Sequence, residues 1–567
     1  MTSAHPARNL AFIACLLFVG WLIAGCHHST PPAGTTNVAP TLNGPAANVR
    51  FVDVSSQAGL NYQWTFAGKR PGTILQTIGN GCAFLDYNND GNLDILLVGH
   101  KLALYQGDGH GHFKDVTHET GLDKVHGNFL GCAVGDYDND GYNDIYLTAY
   151  RGGALLHNEG GRYFKDVTKE AGIAPQPWGT SAAFVDIDGS GRLSLYVGNY
   201  VDFGPTTKPQ LCSTGQNSTA CGPVMYKPVH GALYRNLGAG RFEDITKEWG
   251  ADKTSGKVLG IACADFDGSG KESILLANDE LPGDLLKSSG GHFTDIGSTS
   301  GTAFDVIGGQ HGGMGADWGD YDNDGRLDLA VMTYQHELKC VYHNDGQDLF
   351  TERSTLLGLA DSTSPNVAFG VKWLDADNDG WLDLLIANGH VEDNASTVDP
   401  KTAYRQPTQF FYNEHGQHFD DASADLVSPA NRPIVGRGLA IGDYDNDGKV
   451  DALVVDSEGH PLLLQNETPQ VGHWLEINLV GTRDNRDGIG ALITVKAGGL
   501  TQLRQCTTGG SYMSASSKRV HIGLGAATVA QSIEIRWPTG HVDRFTNIKA
   551  DQIVTLTEGS ATVQPAQ

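Results

Sequence analysis

The sequence predicts an all-β chain, a seven-bladed β-propeller closed by its own N-terminal strand and followed by a small C-terminal β-sandwich-like domain. Three observations carry this expectation. An aspartate-rich nonapeptide recurs seven times, short apolar strands return around every copy, and the strand count leaves one strand over at the start of the array and one missing at its end. Composition agrees. A chain of 567 residues that is 40% hydrophobic and 18% charged is long and apolar enough for two or more packed domains, and 74 glycines against five methionines favour tight turns over long helices. The formal charge of −26, with 39 Lys and Arg against 65 Asp and Glu, argues against nucleic acid as a partner and makes cations the fitting counter-charge.

The nonapeptide is complete in five copies. The first is Asp86, Asn88, Asp90, Gly91 and Asp94, with Asn92 as its seventh residue. The others are Asp136, Asp138, Asp140, Tyr142 and Asp144; Asp320, Asp322, Asp324, Arg326 and Asp328; Asp375, Asp377, Asp379, Trp381 and Asp383; and Asp443, Asp445, Asp447, Lys449 and Asp451. Two weaker copies begin at Asp186, with Asp188 and Ser190, and at Asp265, with Asp267 and Ser269. Oxygen ligands at positions one, three and five, a glycine turn at six and a carboxylate at nine let a short loop wrap a hard cation such as Ca²⁺, which also relieves the repulsion among its carboxylates. An EF-hand is excluded: its twelfth residue should be Glu, but here stand Leu97, Leu147, Val331, Ile386 and Val454, and strand-like runs follow where a helix should. Five strong Ca²⁺ sites and two weaker ones are the expectation.

Four strands surround each loop: a small apolar strand before it (residues 81–85), the loop's exit strand, a third ending in Asn or Gly (154–158) and a fourth opening on Phe (164–168). Fourth strands begin at Phe51, Phe113, Phe164, Phe242, Phe293, Phe350 and Phe419, the first preceding any metal loop, while the last repeat stops at its third strand. Residues 51–55 should therefore pair beside residues 462–464 and leave no open sheet edge at the join.

The N-terminus reads as an export signal. Arg8 precedes an apolar run from Leu10 to Ala24, too short for a comfortable membrane span. Leu22, Ile23, Ala24, Gly25 and Cys26 resemble a bacterial lipobox, which implies acylation of Cys26 and an anchor in the outer membrane or at the cell surface. The expected organisation is a signal peptide over 1–25, a flexible tether over 26–50, the propeller over 51–468 and the β-domain over 469–567. An exported chain permits disulfides, and Cys212 and Cys221, nine apart in a Pro/Gly-rich insertion, are the expected pair.

These repeats resemble the FG-GAP/VCBS family of propeller repeats, the calcium-bearing type also found in integrin α chains. The C-terminal part, with Gly488, Ile489, Gly490, then Gly509, Gly510, Ser511, Tyr512, then His521, Ile522, Gly523, and Trp537 with Gly540, is similar to the ASPIC/UnbV domain. The arrangement resembles that of the cartilage acidic protein-like family. The resemblance implies calcium in the loops and leaves activity open, since propellers host both binding and catalysis. The sequence holds no GxSxG nucleophile turn, HExxH zinc helix or phosphate-cradling glycine loop.

If the metal loops share one face, the connections on the other gather His100, Tyr150, Trp178, His311, Tyr334, His390 and Arg437, together with Asn199, Asn278, Asp279 and Asn388. Aromatics mixed with amides and carboxylates suit a glycan or protein ligand. The expected function is a calcium-stabilised envelope protein for binding or adhesion; the alternatives are an extracytoplasmic enzyme acting on polysaccharide and a structural subunit of an envelope complex.

Overall fold

The computed structural model describes residues 49–214, 217–427, 430–469 and 471–565. The expected signal peptide, the acylation site Cys26 and residues 27–48 of the expected tether lie outside the described residues. Strands Cys82–Leu85, Asp94–Leu97, Ala103–Gly107 and Phe113–Asp115 form an antiparallel sheet in that order. Among the described residues this four-stranded order recurs six more times, with innermost strands Phe129–Gly135, Gln176–Val185, Val258–Ala264, Ala316–Gly319, Ala368–Leu374 and Gly436–Gly442. Each inner strand packs against the next, and Gly436–Gly442 returns against Cys82–Leu85, so the fold is a closed β-propeller. The first two strands of each sheet read as continuous apolar runs because both their faces are covered by neighbouring sheets; the fourth, on the rim, is buried only at its leading Phe.

The join is made by the chain's own beginning. Phe51–Asp53 runs antiparallel to Leu462–Asn466, pairing Phe51 with Asn466 and Asp53 with Leu464. Phe51 is fully buried, 5.7 Å from the Phe410 ring. Packed contacts start two residues earlier than the expected strand: Val49 is buried, and the Arg50 amide donates to the Thr468 hydroxyl at 3.1 Å.

The C-terminal domain is a sandwich of two four-stranded sheets, one built on His473–Val480 and the other on Leu492–Ala497, closed over Leu475, Ile493, Ile533 and Trp537. Between its strands Leu500–Gln505 and Val520–Gly525, residues 507–517 leave the sandwich and fill the propeller's central channel. Ala515 exchanges backbone hydrogen bonds with Cys82 and Phe84, Ser511 does so with Ala316, and the Met513 carbonyl accepts from the Cys132 amide at 3.1 Å. Side chains complete the contacts: Ser514 Oγ accepts from the Cys82 amide, Ser516 Oγ from the Ile441 amide, and Ser181 Oγ from the Met513 amide. The channel is narrow enough to need glycine walls. A Cβ on Gly81 would lie 1.8 Å from the Met513 carbonyl oxygen, and one on Gly438 2.4 Å from Ser514 Oγ.

Replacing Phe51 by Ala is expected to cost about 3–5 kcal/mol, the range for a buried Phe truncation, and to match Phe164→Ala, its counterpart on the second sheet. Urea unfolding of both variants checks this; an unchanged midpoint for Phe51→Ala would mean that the N-terminal strand does not complete the ring.

Candidate metal loops and the opposite face

Each complete loop is wired before any ion enters it. In the second, both Asp136 oxygens accept backbone amides, from Asp140 at 3.0 Å and Gly141 at 2.7 Å. Position nine is the inner anchor: Asp144 accepts the Tyr137 amide at 3.3 Å and the third-strand Asn158 amide at 2.7 Å. Asp94, Asp328, Asp383 and Asp451 repeat this bond to their own third strands at 2.8–3.0 Å. All five position-nine carboxylates are at most 1% exposed.

Two asparagine ladders tie loop to loop. The third-strand Asn of one sheet donates to the preceding sheet's loop: Asn158 to the Tyr87 carbonyl, Asn236 to Tyr137, Asn344 to Phe266, Asn413 to Tyr321 and Asn466 to Ala376, all at 2.7–2.9 Å. The second ladder comes from position four, which sits in the left-handed region, at φ 54–62° for Asn89, Asn139, Asn323, Asn378 and Asn446. Asn tolerates that conformation better than most residues. The side chains then reach the next loop: Asn89 donates to Gly141 O at 2.7 Å, Asn139 to Gly191 O at 3.1 Å, Asn323 to Gly380 O at 3.0 Å and Asn378 to Gly448 O at 2.9 Å, while Asn446 donates to Asn92 Oδ1 at 3.2 Å across the join. The two weaker loops carry Gly189 and Gly268 at this position, keep the left-handed turn and lose the side-chain bond.

The donor sets suit a hard cation. Carboxylate oxygens of Asp136, Asp138 and Asp144 lie within 4.8 Å of one another, as do those of Asp320, Asp322 and Asp328 and those of Asp375, Asp377 and Asp379. Ligands at 2.3–2.6 Å around one Ca²⁺ span at most about 5 Å. Burial, helped by neighbouring carboxylates, pushes Asp94 and Asp136 up to about 8 and Asp443 up to about 9. Without a cation these carboxyls would therefore retain protons that solvent-exposed carboxyls release.

The third-strand residue just before the ladder position, which is Asn in five sheets, Gly107 in the first and Ser288 in the fourth, divides the seven loops into two groups. Over complete loops it is an amide, imidazole or phenol: Gln106 donates to Asp90 at 3.1 Å, Gln465 to Asp445 at 2.7 Å and Tyr412 to Asp377 at 3.1 Å, while His157 and His343 lie 3.2 Å from Asp144 and Asp322. Over weaker loops it is a permanent cation. Lys287 Nζ lies 2.8 Å from Asp267, whereas Arg235 pairs with Glu243 at 2.7 Å and adds only a weaker, longer-range attraction to Asp188. At the Asp265 loop the C-terminal domain adds a second cation, Arg536, which donates to Asp265 at 2.5 Å and to the Gly268 carbonyl at 2.7 Å. The sequence carries this division not in the loops but in the strand facing them, as Gln, His or Tyr over complete loops and Arg or Lys over the weaker ones.

The C-terminal domain covers the loop side. Arg519 donates to Gly91 O and to Asn446 Oδ1, Arg486 N to Asn139, Gln505 accepts from Asp265 N, buried Arg504 reaches Gly380 O at 3.4 Å, and His521 pairs with Asn378 at 2.7 Å.

On the opposite side the expected ligand residues scatter. His100 is exposed. Tyr150 packs edge-on against Trp178 at 5.4 Å, but Trp178 is fully buried in a run that continues to Tyr200 and Phe203. His311 is buried beside the Tyr342 hydroxyl at 3.3 Å. Arg437, 1% exposed, is spent on the carbonyls of Thr77, Gly389, Gly436 and His390 and on the Phe369 ring face at 3.9 Å. Only Tyr334, with His390 edge-on at 5.6 Å, and Asp279 reach a cavity of about 250 Å³ at the channel mouth. The insertion carrying the Cys212–Cys221 disulfide roofs that cavity with residues 220–223.

The chain contains FG-GAP-like repeats, matched over residues 86–147 and 136–197, and an ASPIC and UnbV domain, matched over 481–563. It is 28% identical over 392 residues to cartilage acidic protein 1 of Xenopus tropicalis and 26% identical over 393 residues to that of Homo sapiens, in each case over 66% of this chain. It spans about half the length of these relatives, 54% and 52% respectively. Among solved structures it is similar to an Agrocybe aegerita lectin that recognises non-reducing terminal N-acetylglucosamine, at 14% identity over 67% of this chain and 86% of the other, with TM-score 0.38. It is also similar to YCF48 from Cyanidioschyzon merolae, at 8% identity over 71% of this chain and 99% of the other, with TM-score 0.36.

Proposed function

We propose that this chain is a calcium-stabilised binding or adhesion protein of the cell envelope, anchored through Cys26, that presents the face away from its metal loops to a glycan or protein ligand. The observation that carries this reading is the division of labour between the two faces. The loop face is covered by the C-terminal domain and its acidic groups are locked into ladders, which suits a structural ion, while the other face keeps its cavity and mixed aromatic and acidic surface. Calcium would be held by the five complete loops. Lys287 and Arg536 supply positive charge at the Asp265 loop and Arg235, more weakly, at the Asp188 loop, so these two depend least on an ion. A glycan array and a panel of envelope proteins, screened with and without calcium, test the binding reading. Capture that needs calcium and survives deletion of residues 1–25 with Cys26→Ser supports it, and an absence of any capture overturns it.

Millimolar Ca²⁺ on micromolar sites would contribute about 4 kcal/mol per site, so chelation is expected to lower the melting temperature markedly. Partial occupancy at low calcium, read by crystallography, should fill the five complete loops and leave the Asp265 and Asp186 loops without density. Lys287→Gln should weaken the Asp265 loop whether or not calcium is present, unlike Gln106→Ala on the first.

A pH dependence follows from the raised carboxylates. Their pKa values rise from about 4 in the unfolded chain to about 8 for Asp94 and about 9 for Asp443 in the metal-free fold. The metal-free fold then binds protons that the unfolded chain releases, and its stability falls as pH rises from about 4 towards 9. Calcium replaces those protons, so urea midpoints across pH should slope downward with chelator and flatten with calcium.

A further inference from the structure

We propose that the cavity at the channel mouth is a binding site for a primary ammonium carried on a hydrocarbon stem. The inference rests on the reading of the open face as the binding face and names the chemistry that face selects. The floor and walls are apolar, formed by Ile74, Ile78, Leu259, Met314, Phe369 and Val391. Against them stand four carboxylates, Asp279, Glu280, Glu337 and Glu392, and no Lys or Arg lines the cavity among the described residues.

Asp279 is the central group. It is 7% exposed, it lines the cavity, and its Oδ2 accepts the Tyr200 hydroxyl at 2.5 Å. Two of the others are each held by one oxygen: Glu337 accepts the Gly312 and Tyr334 amides at 2.9 and 3.1 Å, and Glu280 accepts the Val224 amide at 3.0 Å. Glu280 is also held at φ 55°, a left-handed conformation that a long side chain adopts at a cost. Two buried lysines lie behind the walls. Lys257 acts on Asp279, and Lys339 donates to the Tyr334 and Glu337 carbonyls. Burial pushes Lys339 down and Asp279 up, each to about 7, so Glu280, Glu337 and Glu392 stand against Lys257 and the cavity keeps a negative balance.

Charge and shape together select the ligand. A hydrated hard ion would find oxygen on only part of the wall, whereas an ammonium on a methylene stem satisfies both halves, its head on Asp279 and its stem on Leu259, Met314 and Val391. The volume, about 250 Å³ and just below the usual range of roughly 300–1,000 Å³ for small-molecule pockets, suits a single stem. The same head and stem occur in a free diamine and in a lysine side chain of a partner protein.

The test uses the mature chain saturated with calcium, titrated calorimetrically with 1,5-diaminopentane, with a peptide containing one lysine, and with 1-pentanol. Both amines should bind and the alcohol should not; the tighter amine identifies the source. Asp279→Asn keeps the partner for Tyr200 and should weaken amine binding about 30-fold or more, the lower end for losing one member of a buried charge pair. Val391→Trp fills the cavity without changing its charge and should abolish binding, with an unchanged melting curve for each variant. Absence of amine binding, amine binding unaffected by either substitution, or displacement of the amine by further calcium would overturn the proposal. If the amines fail while the array ligand still binds, this inference alone falls; if the amines bind and no array or envelope ligand is captured, the broader reading falls instead.

Discussion

Five aspartates with almost no access to water hold the propeller at its loop face. Each position-nine carboxylate accepts one amide from its own loop and one from the third strand of its sheet, so it fixes the turn and the register of the next hairpin together. Such a group cannot be replaced by an apolar residue, because two buried amides would lose their acceptor. Nor is it comfortable alone, because its charge is desolvated beside the other loop carboxylates. The molecule answers this conflict in two ways: complete loops keep an open oxygen cage, and the Asp265 loop receives Lys287 and Arg536.

Much of this was legible in the residues. The repeat count, the loop turn without a following helix and the pairing of Phe51 with the last sheet all followed from periodicity, since each depends on local spacing. Position four was on the page as Asn in five copies and Gly in two, and the left-handed backbone explains why only these two appear. The fate of the opposite face was not legible. Side-chain burial there depends on the 201–231 insertion and on the channel, so Trp178 and Arg437, which read as ligand residues, serve the core. Glu280, Glu337 and Glu392 carried no pattern in sequence and are brought together only by the fold.

The C-terminal domain is part of the propeller's architecture in a physical sense. Serine hydroxyls and backbone groups of residues 511–516 meet amides and carbonyls of inner strands that would otherwise line an open channel, and Tyr512 donates to the Ile78 carbonyl at 2.9 Å while packing on Phe369. A glycine-rich stretch was visible in the sequence as part of a family motif; its task as the filling of the channel was not, because nothing local distinguishes it from a surface loop.

That filling sets the order in which the fold can be completed. The strand that seals the rim comes from residues 51–53, its partner from residues 462–466, and the hub of the ring from residues 507–517, so the rim closes only after residue 466 is made and the axis only after residue 517. A nascent chain therefore carries hairpins before it has a sealed rim, and a sealed rim before it has a filled axis. A fragment that stops before residue 507 lacks the hub, and the inner-strand amides that residues 511–517 would meet are then open to pairing between fragments.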